Sequence, residues 1–404
     1  MSLKNKIVRY VKDFGLRISA SVLTTFANQI VLLPMLASMF SSSEYGTLLT
    51  IVGVKNIISG TLGNSLYSTR LVVNEKYETE KKHGDFNRII IISSFTSVLA
   101  MIITMIIMGS ADALTIGFLG LITAIYTFNA YASVWYTVKL EFKKGLFHSI
   151  TVSVGTLIGV GLVYLTHFWP VAYLCSALAG TFFIFTQTGI LSEGKGTTPL
   201  LNSTLSKWFI LIATTLLTNL VTYLDRLILY PLIGSEAVAI YSTASYFGKA
   251  VSIIAMPIAS VMLGYYAQKN FKMDLKRYWT INGACGLVLV AFALFSMVAG
   301  HWVTGLLFPS LVEDASPYIF IANMSAATAA IVQIVQAASL KYAKTYWQIV
   351  IQLVYLGVYF FFGVIWMKSA GLMGFCYASI TAIAIRLAML LIVCHMSIKH
   401  KIVV

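Results

Sequence analysis

Residues 219–234 read "NLVTYLDRLILYPLIG", a run apolar enough to cross a membrane that nevertheless holds Asp225 beside Arg226. Three more cations, Lys55, Lys249 and Arg386, lie in equally apolar surroundings. A charge at the bilayer centre costs roughly 2.5–3.5 kcal/mol on the insertion scale, so such residues face a partner or a water-filled cavity. Ammonium and guanidinium groups in that setting attract phosphate, pyrophosphate or an acidic sugar by charge-assisted hydrogen bonds, and they repel sodium and cationic drugs. Lys55, Arg226, Lys249 and Arg386 are therefore the candidate substrate-binding residues, and the substrate is expected to be an anion. Asp225, the one carboxylate within a span, is the candidate proton carrier. Protonated, it frees its cationic neighbour for substrate; ionised, it competes as counter-ion. The alternative is a buried Asp225–Lys249 pair that joins two helices, and for Arg386 a snorkelling position near the cytoplasmic side.

The helices that must position these groups show polar stripes. Adjacent helical residues point about 100° apart, so Asp225 and Arg226 are poorly placed to pair with each other. Arg226 shares a face with Thr215, Asn219, Thr222, Tyr223 and Tyr230, and Asp225 lies to one side with Thr218 and Thr222. Ser242, Ser245, Lys249 and Ser252 repeat the pattern in the next helix. Gln348, Gln352, Tyr355 and Tyr359 form a further stripe, as do Gln333 and Gln336. Amides and rings suit sugars, although interhelical hydrogen bonding explains the same spacing.

With 404 residues, 58% apolar content, 10% charged residues and a mean hydropathy of +0.85, the chain belongs in a bilayer. Stretches of about 20 apolar residues cross the hydrocarbon core. They fall near 17–40, 46–68, 88–109, 113–137, 147–166, 170–191, 208–232, 238–266, 278–300, 316–340, 346–367 and 371–394. Residues 301–315 either extend the ninth helix or form a re-entrant turn. Of the 28 Lys and Arg residues, 23 fall in alternate loops counted from the N-terminus, one (Lys368) in the opposite loops and four within spans. That alternation is the positive-inside pattern of about twelve spans with both termini cytoplasmic.

The net charge of +14 is thus mostly topology, and no nucleic-acid partner is expected. The N-terminal stretch places Leu3, Ile7, Val11 and Phe14 at helical spacing among basic residues, which suits a helix lying on anionic membrane lipids. Cys175, Cys285, Cys376 and Cys394 have no ligand spacing, so neither a disulfide framework nor a metal site is indicated. Outside loops such as "GSADA" and "THFWP" are short, and no loop carries a phosphate-binding glycine motif, a paired-carboxylate site or a His/Cys cluster. A transporter without a cofactor fits better than an enzyme. Pro34 and Pro257 fall inside helices, where they can introduce kinks.

The loop 192–206 divides the chain into an N-terminal six-helix bundle, 1–191, and a C-terminal one, 207–404. "TTFANQIV" from Thr24 and "TTLLTNLV" from Thr214 are followed by "SSSE" and "IGSE" in turn, and Lys55 and Lys249 then sit at similar depth. Such a parallel repeat places substrate at a bundle interface.

The layout, and in particular "LDRLIL" followed by a small-residue turn and "IYSTASYFGKA", resembles the Wzx-type polysaccharide flippases of the MOP superfamily, relatives of the MATE exporters and of the lipid II flippase. The resemblance implies an all-α polytopic membrane protein with a V-shaped pair of six-helix bundles and a cationic cavity working by alternating access. It implies a substrate, undecaprenyl-pyrophosphate-linked oligosaccharide, carried between leaflets of a bacterial cytoplasmic (inner) membrane for O-antigen or capsule. A polysaccharide polymerase and a chain-length regulator would be partners. The alternatives are a MATE-like gradient-coupled exporter, which would want an acidic cavity, a membrane-embedded polymerase or ligase, which would want a substantial outer loop, and a non-transporting assembly protein.

Overall fold

A computed structural model describes residues 3–80, 84–109, 112–194, 196–266 and 273–403, and these are almost entirely helical, with no strand among them. Twelve rods follow one another: α1 (3–39), α2 (42–80), α3 (Gly84–Met108), α4 (Ala113–Val138), α5 (Phe142–Thr166), α6 (Pro170–Gln187), α7 (201–232), α8 (235–266), α9 (Leu275–Leu307), α10 (Val312–Tyr342), α11 (345–369) and α12 (372–403). Nine helices among the described residues are long and apolar enough to cross a membrane. One of these, Tyr346–Lys399, is two rods joined at Ala370 and Gly371. With that division and with α2 and α8, the twelve expected spans are accounted for. Gly371 makes the abrupt join with φ +55°, a left-handed conformation that a side chain resists. The awkward segment after residue 300 extends α9 as far as Leu307, and α10 then opens with one helical turn, Val312–Ala315, and a 3₁₀ turn at Ser316–Tyr318 before its main length.

Several rods are interrupted, one of them next to a proline. Pro34 has no N–H to donate and its ring crowds the preceding turn; the π-helical stretch Ala27–Leu32 lies just before it and absorbs the mismatch. A second π-helical stretch, Gly60–Asn64, interrupts α2 below Lys55. α7 breaks at Tyr223 and α8 at Ser245. The backbone passes through Pro257 without leaving the helix; its side chain, like those of residues 1–14 that carry the surface-helix expectation, lies outside the described ones.

The chain forms two compact units, 1–39 with 48–226 and 40–47 with 227–404. The division falls inside α7, whereas the sequence placed it at 192–206. In the first unit, Gly155 and Gly159 present a small-residue stripe on α5 against α6: a Cβ on Gly159 would lie 2.6 Å from the Ala172 Cα, and one on Gly155 2.6 Å from the Ala179 Cβ. Close backbone approach of this kind replaces the hydrophobic driving force that lipid removes. The expected linker is docked. Glu193 pairs with Arg70, which is 1% exposed and also donates to Tyr131 Oη at 2.7 Å. Asn87 donates to the Gly194 carbonyl, and the Thr198 N–H donates to buried Asp85 at 2.9 Å. α7 already begins at Leu201, and Trp208 on it donates to Ser65 Oγ at 2.9 Å.

The second unit includes the short stretch 40–47. Ser41 and Glu44 form a reciprocal cap on α2: Ser41 donates to the Glu44 carboxylate through its N–H at 3.0 Å and its hydroxyl at 2.7 Å, and the Glu44 N–H returns to Ser41 Oγ at 3.3 Å. Ser42 donates to Glu236 Oε1 at 3.2 Å and Ser43 bonds Ser235 at 2.8 Å, so the "SSSE" and "IGSE" segments that suggested a repeat meet.

Candidate functional site

The middle of α2 is the polar part of the first unit. Lys55 is 3% exposed, and its ammonium lies 3.5 Å from the Tyr126 ring centroid on α4 and 4.7 Å from that of Tyr173 on α6. Among the described residues no carboxylate pairs with it. Ring faces partly replace the lost hydration of a cation, but they do not neutralise its charge. The sequence could identify Lys55 as costly; it could not identify Tyr126 and Tyr173, because aromatic residues are unremarkable in a span.

Arg226 lies on the same unit. Its Nη1 donates to the Leu49 carbonyl of α2 at 2.7 Å, and its guanidinium is 5.5 Å from the Tyr223 ring. Gly53 makes this possible, since a Cβ there would sit 3.2 Å from the Arg226 side chain. The break of α7 at Tyr223 starts a new helical turn at Leu224, with Asp225 in that first turn and 8% exposed. Asp225 Oδ1 accepts the Arg226 N–H at 2.9 Å. A carboxylate at a fresh helix N-terminus is favoured by the exposed N–H groups and the helix dipole. That gives a local reason for an acid beside a base in this apolar run, through the Arg226 backbone N–H.

Beneath Lys55, toward the π-helical stretch of α2, lies a cavity of about 470 Å³. Asn56, Asn64, Asn129, Asn219, Tyr126 and Tyr223 supply much of its polar wall, with His148 on α5. Asn56 donates to Tyr223 Oη at 3.0 Å and Asn219 to Thr61 Oγ1 at 3.2 Å. Sequence reasoning singled out Asn219 and Tyr223 but missed Asn56, Asn64, Asn129 and His148. Asparagines recurring in otherwise apolar spans were the available signal.

In the second unit, Lys249 follows the break at Ser245, and its ammonium lies 5.5 Å from the Tyr241 ring. The neighbouring Gly248 N–H donates to Asn323 Oδ1 on α10 at 2.7 Å, fixing this part of α8. Arg386 on α12 donates to Gln336 Oε1 at 3.3 Å and stands 5.0 Å from the Tyr355 ring, while its buried Nε has no acceptor among the described residues. It is thus held between helices of the unit. Gln348 donates to Ser339 Oγ at 2.7 Å, so this glutamine and Gln336 both serve interhelical bonds. Lys55 and Arg226 belong to the first unit, Lys249 and Arg386 to the second. The four cysteines are free, and among the described residues no His, Cys, Asp and Glu cluster could hold a metal.

No family model matches the chain, and no curated protein matches it by sequence. Solved structures do match by fold. An inward-facing multidrug resistance MATE family transporter of the MOP superfamily has a TM-score of 0.73 at 13% identity, covering 94% of this chain and 98% of its own. The lipid II flippase MurJ, in an inward closed conformation, has 0.66 at 14%, covering 96% and 87%. The Vibrio cholerae MATE transporter VcmN in its bent form has 0.60 at 14%, covering 98% and 97%. Identities this low establish architecture alone: the chain has the fold of these MATE transporters and of the lipid II flippase over the matched length.

Proposed function

We propose that this chain is a flippase of the Wzx type, moving an undecaprenyl-pyrophosphate-linked oligosaccharide from the cytoplasmic to the outer leaflet of a bacterial inner membrane. The observation that carries the reading is Lys55, buried at 3% exposure, caged by two tyrosines and without a carboxylate partner among the described residues. An ammonium left in that condition gains most from an incoming anion, since a charge-assisted contact to phosphate replaces solvation that the rings supply only in part. Arg226, whose guanidinium has one Nη bonded to Leu49 and further N–H groups to offer, is the second group for the pyrophosphate or an acidic sugar. Lys249 and Arg386 are the corresponding cations of the second unit. Asp225 is assigned the coupled proton. The delivered repeat units would then pass to a polymerase with its chain-length regulator.

The likeness to a lipid II flippase supports a lipid-linked substrate. The likeness to multidrug transporters favours a second reading, an exporter of soluble molecules, which the intramembrane cations disfavour for cationic drugs. Leaflet-resolved extraction of lipid-linked oligosaccharide separates the two. Cells lacking the wild-type chain and expressing Lys55→Ala at normal level are expected to accumulate the lipid on the inner leaflet. Normal delivery in Lys55→Ala, Lys249→Ala and Arg226→Ala alike would remove the cations from the mechanism, and normal delivery in cells lacking the chain altogether would refute the flippase reading.

A further inference from the structure

The cavity beneath Lys55 differs from the cations above it in a way that assigns it a ligand. Its volume, about 470 Å³, falls within the range of small-molecule pockets and far exceeds the ~30 Å³ share of one water. Its lining contains no Lys, Arg, Asp or Glu. A pyrophosphate placed there would meet no fixed positive charge, and a lipid tail would strand the amides. What the wall does offer is neutral hydrogen bonding from several directions. The Asn64 amide bonds no group among the described residues, and the carbonyl oxygens of Asn56 and Asn219 remain available after their amide nitrogens have bonded Tyr223 and Thr61. His148 Nε2 is buried without a hydrogen-bond partner, and a Cβ on Gly180 would lie 3.2 Å from it and 3.2 Å from Asn129 Nδ2, so a glycine keeps this corner open. Two tyrosines, Tyr126 and Tyr223, add ring surfaces.

Convergent amides, an imidazole and aromatic faces around a neutral pocket suit a ring that carries hydroxyl or acetamido groups on its edge and C–H groups on its face. We propose that this cavity binds a sugar residue of the lipid-linked oligosaccharide, with Asn56, Asn64 and Asn219 holding its polar edge and Tyr126 or Tyr223 its face. The inference rests on the flippase reading and deepens it: the cations take the phosphates, and the cavity of the first unit takes the sugar. Tyr126 belongs to both, since its ring also carries the Lys55 ammonium. Asn56, Gly60 and Asn64 follow one another at four-residue spacing along one face of α2, the last two within its π-helical stretch, and all three line the pocket.

The full chain in lipid nanodiscs tests this by titration with three probes: a short-chain polyprenyl pyrophosphate, the same lipid carrying N-acetylglucosamine, and the same lipid carrying glucose. At least one sugar-bearing probe is expected to bind wild type about fivefold or more tighter than the bare lipid. Asn64→Leu, which breaks no hydrogen bond among the described residues, is expected to remove most of that advantage and leave the bare-lipid affinity within about twofold. Gly60→Ala, which adds a methyl group to the wall, is expected to do the same and serves if Asn64→Leu fails to fold. Equal binding of bare and sugared probes by wild type overturns the sugar assignment and leaves the flippase reading standing. A sugar advantage that survives in a folded variant overturns the location. Failure of all three probes to bind wild type overturns the flippase reading and the inference with it.

Discussion

The Lys55 ammonium lies 3.5 Å from the centroid of the Tyr126 ring, in an interior where it is 3% exposed. Aromatic contact of this kind is worth about 2 kcal/mol when desolvated, less than the several kcal/mol that burying an ion takes. Lys55 is therefore a net burden on the fold. Lys55→Met is expected to leave the thermal midpoint of the purified protein unchanged or raised, while transport falls by about tenfold or more, the equivalent of a charge-assisted contact of about 1.5–3 kcal/mol. Differential scanning fluorimetry beside a flipping assay checks both halves of this expectation.

The opposite behaviour is expected at Arg70. Its guanidinium is 1% exposed and bonded through its two terminal nitrogens to Tyr131 and Glu193, so Arg70→Met leaves a largely buried carboxylate without its cation. A loss of about 3–5 kcal/mol is expected, with much of it restored when Glu193→Leu is added. Equilibrium unfolding of both variants in detergent reads the difference, and the double-mutant coupling isolates the pair.

Gly159 tests the packing of α5 on α6. A Cβ there already meets the Ala172 backbone at 2.6 Å, so Gly159→Leu must push the two helices apart. Overpacking by about 1–3 kcal/mol is expected, with lower expression and a lower thermal midpoint, whereas Gly161→Leu, which meets nothing within 4 Å, is expected to be near neutral.

The Ser41–Glu44 cap supplies a pH dependence with a definite sign. Hydrogen bonds from the Ser41 side chain and backbone hold the Glu44 carboxyl below its ordinary value. A carboxyl lowered on folding stabilises above its unfolded pKa, about 4.3, and that contribution is lost as pH falls through the folded value. Amide exchange at the start of α2, corrected for intrinsic pH dependence, is expected to accelerate on acidification through that window in wild type. In Ser41→Ala, which lacks the hydroxyl, the first turn is expected to be looser by about 1 kcal/mol even at neutral pH.

The spans were legible because hydropathy and the alternation of Lys and Arg report the same physics, the exclusion of charge from hydrocarbon. The segments around Glu44 and Glu236, which the matching strings singled out, also touch, a contact that string similarity does not itself predict. What the sequence concealed is tertiary. Residues 192–206 look like a linker by composition, yet Arg70 and Asp85 dock them on the first unit, and Arg70 reads as an ordinary loop cation until its partner at residue 193 is seen. The cavity was concealed for a related reason: it is assembled from α2, α4, α5, α6 and α7, and part of its wall is a π-helical stretch that no hydrophobic period announces. Asp225 was legible as unusual, but its bond to the Arg226 N–H follows from a helix break at Tyr223 that the pattern "LVTYLDRL" does not signal.

The most direct test of the central claim places the purified chain in proteoliposomes with a fluorescent short-chain polyprenyl-pyrophosphate sugar and follows its accessibility to a reagent added outside. Wild type and Lys55→Arg are expected to exchange the lipid between leaflets, and Lys55→Gln, folded and incorporated equally, to fall to the protein-free rate. Exchange by Lys55→Gln at the wild-type rate would contradict the account, because the buried charge would then have no part in moving the substrate.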